Sequence, residues 1–348
     1  MKYIIFLLLG ILSFPLYVAK SYAVDPPKQP LAGPGGQDYL HASVMKSEFG
    51  EGGQRYWIFE PADPAPVSAP VIVFMHGWSA VNPKAYGAWI AHLVKRGNIV
   101  IYPLYQDQVH TPPSDYLPNT ITALKNALVI LQQEGHVHPL LDKCAVVGHS
   151  MGGLIAVDLA ASAEGQGLPP LKAVMSVEPG KTWGRMTGEG YHLQELSLIP
   201  SDSLLLLISG DADRIVKDVD AKKIYRESTG VPLINKNYII LRSDNHGRPE
   251  LNANHFAPVA NDEGFDSGES LMRVRVRGFF KRRMQERRAT KEHFFPFAYY
   301  SFWKLFDGLC DAAFYGKNRE YALGNTPQQK YMGQWSDGVP VKELTVVQ

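Results

Sequence analysis

The chain has little cysteine, almost no surplus charge and no long apolar run beyond its first residues. Cys144 and Cys310 are its only cysteines in 348 residues, which excludes a disulfide framework. Lysine and arginine total 35 against 34 aspartates and glutamates, a formal net charge of +1. That balance argues against a dedicated nucleic-acid binder. No set of His, Cys, Asp or Glu has a recognised metal-ligand spacing, and no glycine loop has the phosphate-cradling pattern. Neither a metal nor a cofactor is therefore expected. No internal repeat is visible. What remains is an ordinary globular composition, 45% hydrophobic and 20% charged, enough for one large domain or two small ones.

The N-terminus departs from that composition. Lys2 precedes an apolar run from Ile4 to Ala19, and Ser21-Tyr22-Ala23 supplies small residues for cleavage. This is the pattern of a signal peptide over 1–23. The run is shorter than a comfortable membrane span. Export, to a periplasm or to the medium, is the expectation. In an oxidising compartment Cys144 and Cys310 could pair, but Cys144 opens a buried strand, and two separate thiols are expected. Residues 24–38, rich in Pro and Gly, read as a linker, and one domain is expected over 39–348.

Two strand-like runs, His41–Phe49 and Gln54–Phe59, flank Gly50-Glu51-Gly52-Gly53, a hairpin signal. Continuous apolar runs follow at Val71–Met75, Asn98–Tyr102, Cys144–Val147, Ala173–Val177, Leu204–Ser209 and Tyr238–Leu241. Such runs suit strands buried on both faces. Helical patterns lie between them: one opened by Asn82-Pro83, Leu117–Glu134, Leu154–Ala163 and Val216–Arg226. The alternation predicts an α/β fold, a mostly parallel sheet with helices on both faces after an antiparallel start.

One stretch organises the rest. Val146-Val147 runs into Gly148-His149-Ser150-Met151-Gly152-Gly153, and a helical run follows. Strand, G-x-S-x-G and helix in that order make a nucleophile elbow. The turn holds the serine hydroxyl above the sheet edge, and the helix N-terminus faces developing negative charge. A serine hydroxyl needs a base, and the base needs an orienting acid. The acid is expected in Gly210-Asp211-Ala212-Asp213, just past a strand end; Asp213 is the choice and Asp211 a loop-capping rival. Two histidines follow the last strand. His246 lies nearer the strand end; His255, in Asn254-His255-Phe256, has the better local motif. His76-Gly77-Trp78 follows a strand where the second oxyanion donor arises, so the backbone N–H groups of Trp78 and Met151 are the expected hole. Trp78, His149 and Trp183 are expected to line the substrate.

From the hairpin to His255 the chain resembles the α/β-hydrolase superfamily. It looks like the cutinase-like polyester hydrolases and their dienelactone-hydrolase and chlorophyllase-like relatives. The polyester hydrolases carry Gly-His-Ser-Met-Gly-Gly, matched by 148–153. They carry Asp-x-Asp-x-Ile with the second Asp catalytic, matched by Asp211-Ala212-Asp213-Arg214-Ile215. They carry Ser-His-Phe at the base, echoed by Asn254-His255-Phe256. The resemblance implies a serine esterase with Ser150, Asp213 and His255 as triad, and a tyrosine in the oxyanion loop where this chain has Trp78.

Two departures stand out. Ser243 to Asn252 separates the last strand from His255, which keeps His246 open as the base. An added segment, 256–296, then precedes an aromatic-rich helix at about Ala298–Tyr315 and a tail with Gly333-Gln334-Trp335. Within it, Arg273, Arg275, Arg277, Lys281, Arg282, Arg283, Arg287, Arg288 and Lys291 form a basic patch. The patch suits weak contact with an anionic membrane surface, or is a solvated face. A lipase or acylaminopeptidase-type hydrolase on the same triad, and a binding protein that kept the fold without activity, are the alternatives. The expected substrate is a small or polymeric ester.

Overall fold

A computed structural model describes residues 24–180, 190–271 and 297–347. Among these, nine strands form one sheet in the order β1-β2-β4-β3-β5-β6-β7-β8-β9. β1 (Ser43–Phe49) and β2 (Tyr56–Ala62) make the antiparallel hairpin, and β2 runs antiparallel to β4 (Ile99–Pro103). β3 (Ser68–Met75), β4, β5 (His138–His149), β6 (Leu171–Val177), β7 (Leu204–Gly210) and β8 (Lys236–Leu241) are parallel. β9 (Thr345–Val347) closes the far edge antiparallel to β8.

The apolar runs of the central strands serve two cores at once. Successive side chains on a strand point to opposite faces. In β3, Ile72 and Phe74 enter one core while Val71, Val73 and Met75 enter the other; in β5, Ala145 and Val147 part in the same way from Cys144 and Val146. Burying each such large side chain contributes about 1.5–3 kcal/mol relative to exposure. α1 (Gly87–Lys95) and α5 (Lys304–Tyr315) cover the first face. α2 (Tyr116–Ile130), α3 (Met151–Ser162) and α4 (Val219–Glu227) cover the second. α3 is buried from Met151 to Ala160 and so is apolar nearly all round. Asn82 caps the turn before α1, accepting the Lys84 N–H at 3.0 Å, and Pro83 opens that turn.

The C-terminal residues are part of the domain. A π-helical turn, Ala298–Trp303, leads into α5. Asp307 on α5 is buried and accepts bonds from the Gly35 N–H at 2.7 Å and His92 Nε2 at 2.9 Å, with Arg96 Nε at 3.3 Å. This ties the 24–38 segment to the sheet. That segment also accepts the Arg248 and Ser336 N–H groups on Val24 and Asp25, at 2.9 Å each. Lys304, its pKa lowered to about 7 by burial, donates to the carbonyls of Gln328 and Gln329, at 3.1 and 2.9 Å, and to that of Tyr331. Those carbonyls end α6 (Pro327–Lys330), where a cation suits the helix dipole.

The described part of the added segment packs beside β1, β2 and α1. Ala88 N–H donates to Ala260 and Ala260 N–H to Ala85, at 3.0 and 2.9 Å. Its acids are already engaged: Glu263 and Asp266 with Lys84, Glu269 with Arg55. The basic patch and 1–23 lie outside the described residues. Cys144 and Cys310 are separate buried thiols. Among the described residues, no helix is long and apolar enough to cross a membrane.

Candidate active site

β5 ends at His149, and the chain turns into α3 at Ser150 with φ 57° and ψ −120°. A non-glycine residue at such a positive φ is strained. The flanking glycines make the turn possible through space, not through φ. A side chain at Gly148 would collide with the Gly152 carbonyl, and one at Gly152 with the carbonyls of Met75 and His76. The G-x-S-x-G spacing therefore records three backbones crossing at one point.

Ser150 Oγ lies 2.9 Å from His255 Nε2, and His255 Nδ1 lies 2.8 Å from Asp213 Oδ2. All three are buried. Asp213 sits just past β7, and its other oxygen, Oδ1, accepts the N–H groups of Ile215 at 2.8 Å and Val216 at 3.1 Å. Burial opposes its charge, but the bond and charge of His255 and these two N–H donors prevail, and its pKa is lowered. It is held as a carboxylate beside the imidazole.

The rival groups lie elsewhere. Asp211 accepts the Ser243 N–H and hydroxyl, at 3.0 and 2.6 Å, and so caps a loop. His246 Nε2 is 2.8 Å from Asp337 Oδ2, with about a third of its side chain exposed. Its backbone N–H donates to Asp244, which also holds Trp335 and Lys342 of the tail. Trp183 lies outside the described residues. Trp78 lies in the loop after β3, past His76 and Gly77, and Met151 opens α3; both are buried. The His149 ring is buried, and both its nitrogens bond to protein groups: Nδ1 to Tyr86 Oη at 2.7 Å and Nε2 to the His255 carbonyl at 2.8 Å.

His76 lies under the Trp78 turn, stacked on Tyr105 with ring centroids 4.3 Å apart. Its nitrogens face the Gly77 carbonyl at 2.7 Å and the Leu104 carbonyl at 2.9 Å. Burial lowers its pKa to about 4. A neutral imidazole has a single N–H, so one carbonyl receives it at a time.

The sequence reading missed Glu178. It stands just past β6, fully buried, at φ 46°. Among the described residues neither carboxylate oxygen has a hydrogen-bond partner, while Oε2 lies 3.6 Å from His149 Nε2 and 3.7 Å from His255 Nδ1. Burial first, then the charge of Asp213, raise its pKa well above the ordinary 4.5. Two acids thus approach one imidazole, one ionised and one kept neutral. The signal was available: like Ser150 and Asp213, Glu178 ends a parallel strand at the carboxyl edge where sites form. His149, Glu178 and His255 also offer three ligand atoms within 4.8 Å of one another. His149 and His255 spend those nitrogens on protein partners, which leaves them unavailable to a cation.

A stability test follows from the raised pKa. Between the unfolded and folded pKa values the folded state holds a proton that the unfolded state has released, so stability falls as pH rises through that window. Glu178→Gln removes this term. Its Tm relative to wild type should rise as pH is raised above the ordinary carboxylate range, by about 2 °C or more. Thermal unfolding followed by circular dichroism checks it; a difference independent of pH contradicts a neutral Glu178.

Comparison with curated proteins finds no match to the chain. Residues 47–189 match the family model described as Chlorophyllase. That span runs from the last three residues of β1 through the end of β6, with Ser150 and Glu178, and stops before Asp213 and His255. With its mostly parallel nine-stranded sheet and that match, the chain is an α/β-hydrolase-fold protein similar to the chlorophyllase family of α/β-hydrolase-type esterases.

Proposed function

We propose that the protein is an exported serine hydrolase that cleaves carboxylic esters through an acyl-enzyme. The row of bonds Asp213–His255–Ser150, at 2.8 and 2.9 Å, is the observation that carries this reading. Ser150 Oγ attacks the ester carbonyl as His255 Nε2 takes its proton. Asp213 accepts the Nδ1–H, fixes the tautomer and stabilises the imidazolium. The tetrahedral oxyanion is received by the backbone N–H groups of Trp78 and Met151, each worth about 3–4 kcal/mol in the transition state. His255 then protonates the leaving alcohol. A water, deprotonated by His255, attacks the acyl carbon and frees Ser150.

The family match supports hydrolysis of an ester in general. Export rests on Lys2, the apolar run Ile4–Ala19 and Ser21-Tyr22-Ala23. Contact of the basic segment Arg273–Lys291 with an anionic surface is a further part of the proposal, on charge density alone. A panel of nitrophenyl esters of graded acyl length, with a polyester film beside it, tests the activity. Saturable hydrolysis of at least one member is expected. No turnover on any ester by folded protein would contradict the reading.

A further inference from the structure

Gly77, Tyr86, His149 and His255 form a buried chain of hydrogen bonds that joins the two loops flanking Ser150. The Gly77 N–H donates to Tyr86 Oη at 3.0 Å. Tyr86 Oη meets His149 Nδ1 at 2.7 Å, and His149 Nε2 meets the His255 carbonyl at 2.8 Å. The proton positions follow from the two ends. A carbonyl only accepts, so His149 Nε2 carries the hydrogen. Burial, and the neighbouring His255, lower the His149 pKa well below its ordinary value, so the ring is neutral and Nδ1 accepts. Tyr86 then takes the Gly77 N–H and donates its own proton to Nδ1. Every donor and acceptor in the chain is used once, in one direction.

The two ends matter. Gly77 is bonded to Trp78, the proposed oxyanion donor after β3. His255 is the proposed base. His149 is bonded to Ser150, so the chain passes beside the nucleophile. The packing is close: a Cβ on Gly77 would lie 3.1 Å from Tyr86 Oη and 3.3 Å from His149 Nδ1. We infer that Tyr86 and His149 are positioning residues, which set the base loop against the oxyanion loop by a directional hydrogen-bond relay. The inference rests on the serine-esterase reading and deepens it. A misplacement of about 1 Å at such groups can cost about 100-fold in rate.

The test uses the full-length protein, with kcat and KM on a nitrophenyl ester that it turns over. His149→Phe removes both ring nitrogens at similar volume, and Tyr86→Phe removes only the hydroxyl. Each should lower kcat by about tenfold or more with KM within about twofold, since the loss falls on the transition state. His149→Gln supplies an amide donor and an acceptor, and should stay within about threefold of wild type. The double variant His149→Phe with Tyr86→Phe should lose little more than either single one, because one relay is broken once. Thermal unfolding accompanies each variant. Equal losses in His149→Gln and His149→Phe would overturn the relay and leave simple packing. So would additive losses, or kcat unchanged in both Tyr86→Phe and His149→Phe. An inert wild type that no fluorophosphonate labels would instead count against the esterase reading itself.

Discussion

Replacing Ser150 by alanine is expected to lower ester turnover by about 10⁴-fold or more, since removal of a triad serine costs on that order or beyond. The loss should fall on kcat. No other hydroxyl occupies the elbow: the turn is built on one residue at φ 57°, between glycines that backbone crossings leave no room to enlarge. Folding should be little changed. Alanine carries no hydroxyl, and the elbow's backbone bonds, Ser150 N–H to Val177 and Gly153 N–H to the Ser150 carbonyl, at 2.9 Å each, do not involve the side chain. Steady-state kinetics on purified protein of matched Tm is the measurement. Turnover within tenfold of wild type would contradict a serine nucleophile at this position.

His255→Ala is expected to cost a similar factor, about 10⁴ or more, because nucleophile and base act as one unit. His246→Ala should change turnover by less than about threefold; a surface ion pair contributes only about 0–1 kcal/mol. The contrast is geometric. His255 Nε2 is 2.9 Å from Ser150 Oγ, whereas His246 Nε2 is 2.8 Å from Asp337 on the tail. Parallel assays of the two variants decide it, and the reverse ranking would move the base to His246.

Much of this arrangement is legible in the sequence. The elbow reads from sequence because its constraint is steric and local: glycines two positions either side of a serine, after an apolar run. Asp213 reads from its place after β7, and Asp211 proves a loop cap as its position suggested. The sequence alone does not choose between His246 and His255 because Ser243–Asn252 lengthens the loop. Its course depends on contacts with the tail, such as Trp335 Nε1 to Asp244 Oδ2 at 3.3 Å, which no local pattern reveals.

Other features were not legible for physical reasons. β9 is three residues long and pairs with Tyr238–Ile240, far away in the chain. β5 starts at His138, not Cys144: in its first half Pro139, Leu140 and Leu141 are set among His138, Asp142 and Lys143, and only Pro139 is buried, so no continuous apolar run marks it. The linker reading of 24–38 rested on Pro and Gly content. The buried Asp307 that holds Gly35 lies on a helix far along the sequence. Glu178 is a single carboxylate after an apolar strand, and its meaning comes only from the two imidazoles beside it. His149, expected from sequence to line the substrate, instead turns its ring inward to Tyr86 and His255.

The central claim is that Ser150 is a nucleophile activated by His255. The most direct measurement is reaction of the purified protein with a fluorophosphonate, followed by peptide mass spectrometry. A single phosphonyl adduct on Ser150 is predicted, with labelling lost in His255→Ala and retained in His246→Ala. No adduct on folded protein, or an adduct on another residue, would contradict the account.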